Sequence, residues 1–289
     1  MKKIHTTHGI YPGTKLKQDE RYKRLYHFTS FDTFMKIWLS GKLLFGNVQK
    51  VNDLQEAAFP VSTGNMQHWA VMQKFRELRL KYKQISLCMD YDSYIWGCMS
   101  TQMWAYYADK SQGVCIELDF SKLNFPENCI HGPVKYRNVT NEVTLDPKIS
   151  TAKDISKFIL KNKSKLFFTK QFTWKGENEY RIVSNSDEAL DISSAISCIY
   201  VTDTDTVEFE LLTKLVGDKT PIKCLKFIAR SGLSIPVIPD ARNDRESRDK
   251  MKNDDFQKSM QEQINGIIES CKDDETKSLL MPYIIIPKK

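Results

Sequence analysis

Three short stretches of this chain carry side chains able to do chemistry. Tyr26-His27-Phe28-Thr29-Ser30 puts one imidazole at the end of an alternating run. Met103-Trp104-Ala105-Tyr106-Tyr107-Ala108-Asp109 crowds three large aromatic rings together, enough for a stacking platform. Lys170 is followed by Trp174-Lys175-Gly176-Glu177-Asn178-Glu179-Tyr180-Arg181. In an extended chain Glu177, Glu179 and Arg181 of that stretch fall on one face. Each stretch also has a structural reading. A strand histidine is often a hydrogen-bonded framework residue, a Trp–Tyr cluster often packs a helix, and alternating charges often line an ordinary sheet face.

The elements that must position these groups are legible from periodicity. Residues 24–28 alternate as a short strand. Thr29-Ser30-Phe31-Asp32 then gives a T-x-x-D start signal for a helix carrying Phe34, Ile37 and Trp38 and ending at Gly41, with extended chain at 42–45. Val71, Phe75, Leu78 and Tyr82 predict a helix over 66–82 with a basic face. A strand is expected at 85–89 and a short helix at 100–109. After Gly113 the nearly continuous apolar run 114–120 reads as a central strand. Thr151-x-x-Asp154 opens a helix expected to run to Phe168, with Ile155, Phe158, Ile159 and Leu166 as its buried stripe. The alternation of 177–184 predicts a strand, as do 195–201 and 223–229, with a helix near 206–216. The expected architecture is α+β: mixed, largely antiparallel sheets with flanking helices. It forms one domain over 1–240 and a charged helical C-terminal elaboration over 241–289 that ends in a short strand at 283–286.

Bulk composition fits this. The chain has 289 residues, 41% of them hydrophobic and 27% charged, which supports a sizeable core and an ordinary charged surface. No apolar stretch approaches the ~20 residues that span a bilayer, and no h-region follows the N-terminal lysines, so a cytoplasmic protein with no membrane partner is expected. Seven cysteines without a CxxC pair argue against a disulfide framework or a zinc module. Cys129-Ile-His131 lacks two further ligands at a usable spacing, so no metal is expected. The net charge is +7 and comes in blocks: basic around Lys15–Arg24, Lys74–Lys83 and Lys153–Lys175, then acidic from Glu177 to Glu210. Such blocks suit a nucleotide or nucleic-acid groove, and equally a set of solvated helix faces. Walker, GxGxxG, GxSxG, HExxH and EF-hand motifs are absent.

Taken together, the stretches LYHFTSFDTFMKIWLSGKL, VNDLQE, MWAYYADKSQGVCIELD and WKGENEYRI resemble, in that order, the motifs of a bacterial family catalogued as domain of unknown function 2971. The resemblance runs over about residues 24–240 and is strongest in the Trp104–Tyr107–Gly113 and Trp174–Arg181 blocks. Leu54 stands where that family usually has proline, and Tyr106 where histidine is common. More distantly, the order of an early-strand histidine, a middle tyrosine and a late-strand glutamate is similar to the His-Tyr-Glu arrangement of ADP-ribosyltransferases. That resemblance implies NAD as co-substrate. His27, aided by Thr29, would bind a ribose of NAD. Tyr107, or else Tyr106, would stack on the nicotinamide, with Trp104 also part of the cofactor site. Glu179 would stabilise the positive charge of the breaking glycosidic bond, and Glu177 would act on the acceptor. Arg181 and Lys170 would bind the pyrophosphate or restrain the glutamates.

The expected function is therefore an NAD-dependent ADP-ribosyltransferase-like enzyme, in the manner of a toxin or anti-phage effector, with a protein or nucleic acid as acceptor. One alternative is a non-catalytic nucleotide- or nucleic-acid-binding module using the basic helices. The other is a protein–protein interaction domain docking through residues 241–278.

Overall fold

The computed structural model describes residues 20–48, 69–230 and 233–243, apart from 94, 128, 139–142, 147 and 187, together with strands at 3–6, 9–12 and 61–62. The turn at Asn52-Asp53-Leu54, the basic residues Lys15 and Lys17, and the C-terminal segment beyond 243 lie outside the described residues. The chain divides into two compact units, Met1–Ile238 and Pro239–Lys289.

The first unit is built on an eight-stranded sheet. Its strands are β1 (Arg24–Thr29), β2 (Gly46–Asn47), β3 (Lys83–Met89), β4 (Val114–Asp119), β5 (Ile130–Pro133), β6 (Glu179–Ser184), β7 (Ile196–Val201) and β8 (Ile222–Cys224). They lie in the order β8-β7-β4-β1-β3-β6-β5 with β2 added to the edge of β3. Every pairing is antiparallel except β7 with β8. β4 is buried along almost its whole length, as the continuous apolar run after Gly113 predicts for a central strand. The α+β class is thus what the periodicities imply.

Among the described residues the α-helices are α1 (Phe31–Ser40), α2 (Trp69–Leu80), α3 (Thr101–Tyr107), α4 (Ala152–Lys161), α5 (Lys163–Phe167) and α6 (Val207–Val216). Four of them start on hydroxyl caps: Ser30, Ser100, Thr151 and Thr206 each accept a backbone N–H from three residues on. The cap of α1 is Ser30, one residue later than the T-x-x-D reading places it. Gly41, at φ +66°, ends α1 as expected. α2 packs on α4, and Phe75, Ile155, Ile159, Leu166 and Phe167 share one core.

Three expectations are corrected. The helix expected over 151–168 breaks at Asn162, whose side-chain amide donates to the Phe158 carbonyl, so α4 and α5 are separate. The strand expected over 223–229 is two strands: β8 stays in the sheet, while Lys226–Arg230 leaves it to pair with Leu233–Val237. The strand expected from Glu177 starts at Glu179 instead. Phe172–Glu177 is a 3₁₀ segment, and Asn178 turns out of it in the left-handed region at φ +45°.

One feature of the sheet creates a site. β1 stays fully paired to β4, yet it pairs with β3 only at Leu25–Met89 and Tyr26–Cys88. The other end of the same β3 edge is taken by β2, at Gln84 and Lys83. Between these two contacts β1 and β3 part. Asp90, just beyond β3, staples the closed end: it accepts from Arg24 at 2.8 Å, from the Tyr26 hydroxyl at 2.9 Å and from the Gly97 N–H at 2.9 Å.

Candidate functional site

The parted strands open into a cleft of about 520 Å³, a size suited to a small-molecule ligand. Its walls bring together His27, Tyr106, Tyr107, Lys170, Glu177 and Glu179. These six residues come from all three stretches singled out in the sequence.

Glu177 is held at the end of the 3₁₀ segment and is 3% exposed. The Tyr107 hydroxyl donates to its Oε1 at 2.5 Å, and Lys170 Nζ donates to its Oε2 at 2.5 Å. Asn178 sets this register. Its side-chain amide donates to the Met89 and Asp90 carbonyls, and its Oδ1 accepts from Arg21, so the turn between the two glutamates is tied to the end of β3. Glu179 then opens β6. Its carboxylate receives Nε and Nη2 of Arg181 at 2.7 Å each, and lies 3.7 Å from Lys170 Nζ. Arg181 is 1% exposed and donates its remaining arm to the Phe167 carbonyl. Lys170 in turn lies 4.9 Å from the centre of the Trp174 ring.

These surroundings push the two carboxylates apart. Burial raises Glu177 above the ordinary carboxylate range and the neighbouring Glu179 adds to this, while Lys170 and Tyr107 pull the other way. Burial acts on Glu179 in the same sense, but there Arg181 and Lys170 outweigh it and hold it at about 2. A carboxylate of lowered proton affinity and one of raised proton affinity thus share a lysine.

The opposite wall is neutral. Burial lowers His27 to about 4 against a hydrogen bond to the Ser86 backbone, so its imidazole is uncharged near pH 7. A backbone bond that favours the protonated ring is an N–H donated to a carbonyl, which leaves Nδ1 as an acceptor. That Nδ1 is buried without a partner among the described residues, and so is Oε1 of Gln84 in the same wall. An unsatisfied buried acceptor costs about 1–3 kcal/mol, and two of them occur in this one wall. The mouth is apolar: Leu44 (81% exposed) and Tyr106 (61% exposed) come from separate segments to line it.

Three of the residues read from sequence stand elsewhere. Trp104 is 2% exposed, packs edge-on against Phe28 and donates its indole N–H to the Cys98 carbonyl. It belongs to the core under the helix and not to the cleft lining. Thr29 is buried where β1 pairs with Val114, and Arg181 lies behind Glu179 as its clamp. Gln84 and Ser86 of β3 also line the cleft, and neither belongs to the three stretches. Their signal was a polar residue at every second position of an otherwise apolar strand, a pattern too common to single out. Cys88, Cys98, Cys115 and Cys198 are buried among apolar side chains. His131 stacks on Phe125 at 4.0 Å and shares a 2.7 Å hydrogen bond with the Tyr180 hydroxyl. Among the described residues no group of three or more His, Cys, Asp or Glu side chains could hold a metal ion, and no helix is long and apolar enough to cross a membrane.

Over residues 103–182 the chain matches the model of a family described as protein of unknown function (DUF2971). That stretch includes Tyr106, Tyr107, Lys170, Glu177 and Glu179, and stops short of the His27 and Gln84 wall. No curated protein and no solved structure matches the chain.

Proposed function

We propose that the cleft binds NAD and that the chain is an ADP-ribosyltransferase-like enzyme breaking the bond between nicotinamide and ribose. The observation that supports this best is the carboxylate pair with opposed proton affinities in one cleft. Loss of nicotinamide leaves an oxocarbenium-like sugar, so the group beside it must be negative and fixed in place. Glu179, ionised and clamped by Arg181, suits that role. The acceptor that attacks the sugar must lose a proton. Glu177, whose raised proton affinity brings it nearer neutrality, suits the general base. Tyr106 and Leu44 at the mouth give a flat ring two apolar surfaces to lie between. The test is nicotinamide release from NAD by purified protein, with and without cell lysate as a source of acceptor. Glu177→Gln is expected to lower the rate by about 100-fold or more. Release that is unaffected by Glu177→Gln, or no release by folded wild type in either condition, contradicts the reading.

A second reading, a nucleic-acid-binding surface, draws on Lys153, Lys157 and Lys161, which lie at four-residue spacing on α4 and are all exposed. α2 adds less than its composition suggests, because Lys74 pairs with Glu77 at 2.8 Å and Arg79 is buried. Charge reversal at Lys157 and Lys161 is expected to abolish nucleic-acid binding if this face carries it, and to leave the cleft reaction intact.

A further inference from the structure

The cleft has an uneven distribution of charge. Its one lysine, Lys170, is engaged by Glu177 and Glu179, and no other cationic side chain lines it among the described residues. Its other polar wall consists of neutral groups. Gln84 is 93% buried, by its 7% exposure, and its carbonyl oxygen has no partner among the described residues. Two residues along β3, Ser86 lies on the same strand face, hydrogen-bonds His27 through its backbone and Glu179 through its hydroxyl. Gln84 therefore stands one strand repeat from the residue that links the imidazole wall to the carboxylates. A phosphate placed there would meet two acceptors and a carboxylate pair whose charge is already balanced. An N–H donor would satisfy an orphaned oxygen.

From this arrangement, and resting on the reading that the cleft binds NAD, we propose that Gln84 is a specificity residue that accepts a hydrogen bond from the planar NH₂ group of the bound ring. The deep part of the cleft then holds one uncharged base-and-ribose half of the dinucleotide, with the phosphates beyond it and the second ring free to lie against Tyr106 and Leu44 at the mouth. Two groups of NAD offer this chemistry, the nicotinamide carboxamide and the exocyclic amine of adenine. A primary amide such as Gln84 can pair with either in the plane of the ring. A site built around a buried acceptor rejects analogues that lack the donor, because their binding leaves the acceptor stranded.

The test is calorimetric titration of the full chain with three probes: NAD, the analogue whose nicotinamide carries a carboxylate in place of the carboxamide, and the analogue with hypoxanthine in place of adenine. Wild type is expected to bind NAD about tenfold or more tightly than one of the two analogues. Gln84→Leu, and Gln84→Met as a second apolar variant should the first melt early, is expected to erase that preference. Loss of preference against the carboxylate analogue assigns Gln84 to the nicotinamide end, and against the hypoxanthine analogue to the adenine end. Tight NAD binding with preferences unchanged in both variants overturns the role of Gln84 while leaving the NAD reading in place. No binding of any probe by folded wild type overturns both.

Discussion

At the scale of single residues, the account depends on two glutamates only two positions apart having different tasks, and stability should show the difference first. Removing the charge of Glu179 takes away the carboxylate that pairs with both Nε and Nη2 of the buried Arg181 guanidinium. Glu179→Gln is therefore expected to lower unfolding free energy by about 3 kcal/mol in denaturant titration. Glu177→Gln takes one carboxylate from the buried Lys170 but leaves Glu179 3.7 Å from it, and is expected to cost less than Glu179→Gln. The pH dependence follows from the same shifts. Glu179 is held at about 2 against an ordinary 4.5, so its contribution is complete above 4.5 and is lost as pH falls from there toward 2. His27 falls to about 4 from 6.5 because burial disfavours its charged form, so stability also drops as pH falls from 6.5 toward 4. Denaturant midpoints measured across this range should lose the upper step in His27→Gln and the lower step in Glu179→Gln. For the reaction itself, Glu177 acts as a base only when ionised. Its raised proton affinity therefore places the acid limb of the rate profile above the ordinary 4.5.

At the scale of elements, the sequence carried most of the positioning but missed one decisive turn. The central strand after Gly113, the capped start of α4 and the Gly41 stop were all legible because each follows from local rules of capping and periodicity. The strict alternation from Glu177 to Ser184 pointed to a single strand with both carboxylates on one face. The chain instead inserts a left-handed Asn178, and the two carboxylates meet through Lys170 from different backbone conformations. Alternation cannot reveal this, since asparagine is compatible with strand or turn, and the Met89 and Asp90 carbonyls that select the turn are far away in sequence. Asn178→Ala is expected to cost about 2–3 kcal/mol, from left-handed strain together with the lost hydrogen bonds. It should also slow turnover by freeing Glu177. Asn178→Gly, which keeps the backbone angle, should recover part of the stability in thermal melts and little of the hydrogen bonding. The break at Asn162 escaped for a related reason: the apolar stripe continues from α4 into α5, so helical spacing alone reads straight across it.

At the scale of the whole molecule, the parting of β1 from β3 is a long-range fact that no local pattern encodes. It depends on β2 occupying one end of the β3 edge while Asp90 closes the other, and those partners are settled only in the folded sheet. Gln84 became visible only through that parting. The three chemical stretches could be picked out in sequence because their residue types are unusual together, but their meeting in one cleft could not. The net charge of +7 also means something different once the fold is known, since the exposed lysines of α4 stand on a helix surface and the cleft is internally balanced. Binding of NAD is accordingly expected to vary only a few-fold between 50 and 200 mM salt. Nucleic acid held by the lysine face should weaken steeply, as counterion release requires. Titrations of both ligands at the two salt concentrations separate the two modes.

The central claim is that NAD enters the cleft between the parted strands, and amide hydrogen exchange of the full chain with and without saturating NAD tests it most directly. The account predicts slower exchange concentrated in residues 26–30, 84–88, 103–108 and 170–180, with α4 unchanged. Protection confined to the α4 lysine face, or none anywhere at a saturating concentration, would contradict it.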